Sequence, residues 1–518
     1  MFKGIRSASH SIISTVTGTG TGAPEDSSAS AAPGSSGSAS ANAGGHQHIH
    51  HHHSSSAAPA TSSGTSTSPK DFSYVDPEDI DEVDDQGQNI LMGIISQLRF
   101  GSDLSRITLP TFILERKSML ERITNQFQHP DILLEAHTTK DPEARFIKVV
   151  KWSLSGWHIT PKAVKKPLNP VLGEYFSSWW DLSNGTRAYY IAEQTSHHPP
   201  KTSYFYISPE NNIRIDGTLV PHSKFLGNSA ASIMEGVGFL QFMDIIDSKT
   251  KNPELYEITQ PNMYARGILI GKLKYELGDH SIIRCPALDL VADIEFKTKG
   301  FISGTYNAIQ GEIKQISTGK VLYEITGKWN EIMEIRNVKT KEKSVLFDTF
   351  TANPQPTSVR PLDEQGHLES RRLWHKVIIA LGKRDHETAT TEKSKIEDKQ
   401  RVEARVRAEE GVEFHPKLFK PVHSPVGYRI YKDFDGKTPA EQIKLVEEIM
   451  PILPGQKFRD NFEMPAYEKH MHGDDNADLR DDTEEEESTK EDCESCQQEI
   501  LNKQGPLDQT EDLKQALP

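Results

Sequence analysis

The sequence predicts a mainly β protein with added helices, an α+β fold built on one large antiparallel sheet curled into a barrel. Three observations carry that expectation. From Tyr175 onward the chain breaks into short runs rich in β-branched and aromatic residues, separated by turn signals. Their local connections imply antiparallel pairing, and curling so large a sheet removes its exposed edges. Before and after this region the apolar spacing is helical.

The elements follow in chain order. Residues 1–86 read as a disordered leader: Ser, Ala, Gly, Thr and Pro dominate, His46 to His53 form a low-complexity tract, and "DPEDIDEVDDQ" is an acidic linker. The folded region, residues 87–470, opens with "GQNILMGIISQLRFG", where Ile90, Leu91, Ile94, Ile95 and Leu98 predict a short amphipathic helix. Such a helix is either docked on the core or a mobile lid over an apolar opening. Two further helices are expected, over "ERKSMLERITNQF" and "EARFIKVVKWSLSGW". A hairpin follows, "EYFSSWWDLS" and "TRAYYIAEQ" joined by Asn184-Gly185, a pair suited to the positive φ angles of a tight turn. The turn reading outweighs the glycosylation sequon that Thr186 completes.

Further strands are expected at "TSYFYIS", "NIRIDGTLV", "VGFLQFM", "ARGILIGKLKYEL", "LVADIEFKT", "AIQGEIKQI", "KVLYEITGKW", "NEIMEIR" and "KSVLFDTF". "YFYI" and "LQFM" are apolar on both faces, as when one face lines an apolar interior and the other packs on helices, and a large barrel can enclose a ligand cavity. "TTEKSKIEDKQRVEARVRAEEG" is a highly charged helix, and residues 471–518 form an acidic, solvated tail.

Composition excludes several classes. The net charge of −15, from 59 basic and 74 acidic residues, is concentrated in the linker and tail, so it says little about the binding surface. Three cysteines argue against a disulfide framework and for a reducing compartment. Cys493 and Cys496 form a CxxC with no second pair, which argues against a zinc site. No apolar run reaches the length of a membrane span, so a cytosolic protein with peripheral membrane contact is expected.

Three charged motifs hold the candidate chemistry. In "KKPLNPVLGE", Pro167 and Pro170 stiffen a loop from which Lys166 and Asn169 project, by charge and by amide donors, toward an anion. In "AEQTSHHPPK", His197 and His198 lie between a hydroxyl pair and two prolines. A metal site would need ligands that no nearby HExxH or acidic cluster supplies, and Ser196 and His197, as strand neighbours, should face opposite ways and make no catalytic dyad. Two donors to one phosphate, or ordinary rim histidines, are the other readings. Lys393, Glu397 and Arg401, spaced i, i+4, i+8, share a helix face. That face is either laced by surface ion pairs or offers Lys393 and Arg401 to phosphate, with Glu397 holding one of them.

With "KWSLSGWHI", these motifs make the chain from about Leu91 to Phe462 resemble the oxysterol-binding-protein-related family of lipid transfer proteins, in a short form. The resemblance implies a near-closed barrel with a hydrophobic lipid tunnel, an amino-terminal lid over about residues 87–112 and carboxy-terminal helices. It implies that phosphatidylinositol 4-phosphate is held by Lys166, Asn169, His197, His198, Lys393 and Arg401, supported by Glu397. "LSRITLPTFILERKSMLERI" and "HSKFLGNSAASIMEG" are most similar to the phosphatidylserine-carrying branch, where Leu109, Lys166, Asn169 and Ser223 would serve that lipid. The implied protein is a monomeric exchanger rather than an enzyme, with no cofactor, metal or nucleic acid. It would work between the endoplasmic reticulum and the plasma membrane, with an endoplasmic-reticulum-anchored receptor as a partner; "SYVDPED" only distantly resembles a receptor-docking peptide. A sterol exchanger and a lipid sensor or scaffold are the competing readings.

Overall fold

The computed structural model describes residues 93–94, 98–104, 109–161, 163–300, 304–422 and 427–458. The leader, the His tract, the acidic linker and tail, "SYVDPED", the Cys493/Cys496 pair and most of the expected lid helix lie outside those residues.

The first expected helix after the lid splits. Leu114–Ser118 is a strand, β1, and the α-helix is only Met119–Arg122, α1, followed by a 3₁₀ turn over Ile123–Phe127. The reason is tertiary: β1 pairs in parallel with Lys166–Leu168, β2, and that ladder overrides the local helical spacing. Lys166 therefore sits on a short strand rather than in a loop. Pro130–Thr138, α2, was not marked by the apolar spacing, whereas Pro142–Ser155, α3, lies where expected. Asp141 caps α3 by accepting from the Ala144 amide, and Pro142 occupies a first-turn position where its missing donor costs nothing.

Among the described residues the sheet has thirteen strands. They are β3 (Tyr175–Asp181), β4 (Arg187–His197), β5 (Pro200–Ser208), β6 (Ile213–Phe225), β7 (Ser229–Ile246), β8 (Pro253–Ile258), β9 (Asn262–Arg266), β10 (Lys274–Cys285), β11 (Leu290–Lys297), β12 (Ala308–Gln315), β13 (Val321–Lys328), β14 (Ile332–Asn337) and β15 (Lys343–Asp348). Chain neighbours pair antiparallel throughout, except that β8 and β9 both fill the space between β7 and β10. Two local expectations change. "ARGILIGKLKYEL" is not one strand but the β9–β10 hairpin, turned at Gly267 and Gly271, where φ is 79° and 108°. Of the Asn184-Gly185 pair only Gly185 takes a positive φ, 81°. Asn184 instead accepts from the Thr186 amide and hydroxyl, giving a longer loop than a two-residue turn.

The sheet closes round a helical segment rather than by a last ladder. On β3, Trp180 packs 6.1 Å from Phe127; from β15, Phe347 packs 5.3 Å from His129, two residues further on. Both ends of the sheet thus reach the same few residues. Gln355, just past β15, donates its amide to the Gln128 carbonyl and accepts from the Trp180 indole, and an isolated bridge between Trp179 and Ser358 covers the edge of β3. The main core joins α1, α2 and α3 to residues drawn from nearly every strand of this curl. On β5, Tyr204 and Tyr206 enter that core, while Phe205 and Ile207 pack outward with Phe419–Pro421 (β16), Tyr428–Ile430 (β17) and residues near the chain's last described helix. The two-faced "YFYI" run is so explained. "LQFM" differs: Leu240 and Phe242 are buried, but Gln241 and Met243 are half-buried on the outer side.

One buried ion pair fixes α3 to the sheet. The Arg145 guanidinium donates twice, at 2.8 Å each, to the Glu254 carboxylate on β8, and the Tyr256 hydroxyl donates to the same carboxylate at 2.6 Å. Removing one partner strands the other charge in a dry site. Glu254→Ala is expected to destabilise the protein by about 3–5 kcal/mol, read by chemical denaturation.

Candidate functional site

The local backbone explains how the motif residues meet. A register shift between Gln194 and Ser196 marks a bulge at the end of β4, and the chain turns through His198 and Pro199 before His197 pairs with Pro200. Thr195, Ser196, His197 and His198 consequently all line one cavity, where strict alternation would send neighbours to opposite faces. The Ser196 hydroxyl donates to the Pro199 carbonyl at 2.8 Å, which ties it to the histidine turn.

The third motif arrives on α6. Ser370–Leu373 (α4) and His375–Gly382 (α5) lead into His386–Glu410, α6, capped by Asp385 at its start and ended by Gly411 at φ 67°. Lys393, Glu397, Gln400, Arg401, Ala404 and Arg407 lie on the one face that borders the cavity. Lys166 reaches it from β2 and Asn169 from the following loop. The cavity measures about 860 Å³, and Lys166, Asn169, His197, His198, Lys393, Glu397 and Arg401 all line it.

Cations predominate in its electrostatics. Glu397 lies between Lys393 and Arg401, bonded to the first and 3.6 Å from the second, so it holds both; Arg401 also pairs with Asp398. Burial and the nearby Lys393 charge push the Lys166 amine below its usual range, with Glu397 and Asp103 opposing. Burial and neighbouring His198 push His197 below its ordinary value, against the Pro170 carbonyl and Glu397. The rings of His197 and His198 meet edge to face, 4.6 Å apart. Crowded, partly desolvated basic groups with one internal acid make a site whose chemistry suits an anion.

Gln400 was missed by sequence reasoning. Its Oε1 accepts from the Leu172 amide at 2.6 Å and its Nε2 lies 3.0 Å from His197 Nε2, joining helix, loop and histidine turn. Glu174 ends the "KKPLNPVLGE" motif. It is fully buried, and accepts from Ser118, from Ser370 at 2.7 Å, from the Trp374 indole at 2.9 Å and from the Val171 amide at 3.1 Å.

Leu109 lines the cavity and packs on a small cluster of Leu104, Ile113, Phe225 and Ile268. Ser223 does not border the cavity. It lies on β6 two residues before Phe225, hence on the face of that strand which meets this cluster, and Gly101 and Ser102 bond to Phe225 above it. Among the described residues, no group of three or more His, Cys, Asp and Glu is arranged to hold a metal.

Comparison with known proteins agrees with this geometry. Residues 93–379 match the family model for oxysterol-binding protein. The chain is 60% identical over 390 residues to Oxysterol-binding protein homolog 7 of Saccharomyces cerevisiae, covering 74% of this chain and 88% of that one. Its fold is similar to that of the Osh1 ORD domain in complex with cholesterol, at a TM-score of 0.57 and 24% identity over 70% of this chain and 90% of that chain. It is also similar to the Osh3 ORD in complex with PI(4)P from Saccharomyces cerevisiae, at 0.50 and 22% over 69% and 92%. With a curled sheet, the paired histidines and the basic helix face in place, the chain belongs to the oxysterol-binding protein family of lipid-binding proteins.

Proposed function

We propose that this protein extracts phosphatidylserine and phosphatidylinositol 4-phosphate from membranes and exchanges one for the other between the endoplasmic reticulum and the plasma membrane. The observation that carries this reading is the convergence of Lys166, Asn169, His197, His198, Lys393 and Arg401 on one cavity. A phosphorylated headgroup needs such a ring, because an unpaired dianion cannot leave water cheaply. Its acyl chains need shelter as well, since each buried methylene contributes about 0.8 kcal/mol to membrane retention. Ligands competing for overlapping space give exchange rather than storage, with no bond made or broken. The protein would act in the cytosol as a monomer, touching membranes peripherally at contact sites through a reticulum-anchored receptor.

Vesicle transfer of labelled lipids tests this directly. Phosphatidylserine transfer accelerated by phosphatidylinositol 4-phosphate in acceptor vesicles is the expected result; sterol transfer without phosphatidylserine transfer replaces the counter-lipid, and binding without transfer replaces exchange by sensing.

Binding should also depend on pH through His197. In the empty cavity its protonation is suppressed; a phosphate dianion favours the protonated ring, so the bound value lies above the empty one. Affinity then rises as pH falls through the bound-state value and levels off below the empty-state value. The expected result is proton uptake on binding, measured by calorimetry in buffers of different ionisation enthalpy, that is smaller in His197→Gln.

A further inference from the structure

We propose that Gln400 is a positioning residue that withholds His197 from a bound phosphate, and so sets how tightly the cavity retains a phosphoinositide. The inference rests on the phosphoinositide reading above and deepens it.

The Leu172 N–H can only donate, so the Gln400 atom 2.6 Å from it is the amide oxygen. The other end of the side chain, 3.0 Å from His197 Nε2, is therefore the NH₂ group, which also can only donate. His197 Nε2 must then be the acceptor, and the neutral ring carries its proton on Nδ1. That nitrogen is buried, and the Pro170 carbonyl lies against the ring, so it is not presented to a ligand in the cavity.

In this arrangement His197 has nothing to offer a phosphate oxygen. To donate, Nε2 must gain a proton, and two donors would then face each other across the Gln400–His197 contact. Gln400 cannot simply flip, because its NH₂ would then confront the Leu172 N–H. It must leave its place, breaking the tie between α6 and the loop that follows Asn169. Phosphate binding by His197 and the present seat of Gln400 exclude one another. The other groups bordering the same cavity are His198 from the turn, Lys166 from β2, Lys393, Glu397, Arg401 and Arg407 from α6, and Tyr428 from β17. None of these is in hydrogen-bond contact with Nε2 in place of Gln400. A residue that must be displaced weakens retention, and weaker retention suits a carrier that has to release one lipid to take another.

The test uses the full-length chain with ¹⁵N-labelled histidine, the His197 signals being assigned by their loss in His197→Gln. In the lipid-free protein the neutral ring is expected to carry its proton on Nδ1. In Gln400→Leu it should shift toward Nε2, and the ring should protonate at higher pH. Water-soluble short-chain phosphatidylinositol 4-phosphate should bind Gln400→Leu about threefold to tenfold more tightly at neutral pH, with a flatter pH profile. Gln400→Glu should also raise the protonation of His197, yet show no tightening, because its charge faces the phosphate. A wild-type ring protonated on Nε2, or a Gln400→Leu variant that binds as wild type or more weakly at every pH with an unchanged profile, overturns the proposal. Those outcomes differ from wild-type protein that binds no phosphoinositide at all, which overturns the functional reading beneath it.

Discussion

Replacing His197 and His198 together by alanine is expected to weaken phosphatidylinositol 4-phosphate binding by a factor of about one hundred or more while the barrel stays folded. Each ring can supply a charge-assisted hydrogen bond to the phosphate, and such bonds contribute about 1.5–3 kcal/mol apiece, with every 1.4 kcal/mol worth about tenfold in affinity. The folded state loses little. His198 is exposed, His197 is half-buried, and neither belongs to a core cluster. The ladder pairing of His197 with Pro200 is made by backbone and survives the change. Extraction of the phosphoinositide from vesicles reads the first effect, and circular dichroism with a thermal melt reads the second. Undiminished extraction by a folded double variant would remove the histidines from the headgroup site.

The sheet and the charged residues of this site were legible because their signals are local or chemically distinctive. Alternating runs and Gly-rich turns mark strands wherever they pair in sequence order, and paired histidines or a basic helix face stand out by type. Misreadings arise where a distant segment decides. Leu114–Ser118 has helical spacing, but its ladder partner lies about fifty residues on, at Lys166–Leu168. Pro253–Ile258 forms a strand only because β7 and β10 leave a space that β9 does not fill. Gln400 carries no charge and sits one residue before Arg401, so nothing in its type announces that it meets both Leu172 and His197. Glu174 is the strongest instance: its side-chain partners Ser118, Ser370 and Trp374 lie 56, 196 and 200 residues away, and no window of sequence contains them together.

That last carboxylate carries the second large expectation. Glu174→Leu should destabilise the protein by about 4–6 kcal/mol, because four buried donors lose their acceptor at about 1–1.5 kcal/mol each. Glu174→Gln should cost far less, about 1 kcal/mol. The amide oxygen can still take the Trp374 and Val171 N–H groups, while its NH₂ faces the Ser118 and Ser370 hydroxyls, which can rotate to accept. Burial pushes the Glu174 carboxyl above its usual range, against the donors that favour its charge. A carboxyl raised in the folded state stabilises the fold below its unfolded value, and that contribution fades as pH rises through the folded value. Glu174→Gln, which cannot ionise, should therefore narrow its deficit, or reverse it, toward alkaline pH. The site is coupled to this hub. Val171 follows Asn169 by two residues, and Ser118 ends the strand that pairs with β2, so a loosened Glu174 frees both Lys166 and Asn169. Denaturation curves across pH, with phosphoinositide binding measured on the folded fraction, test both halves. A Glu174→Leu protein as stable as wild type, or one that binds undiminished, would show that the loop is positioned by something else.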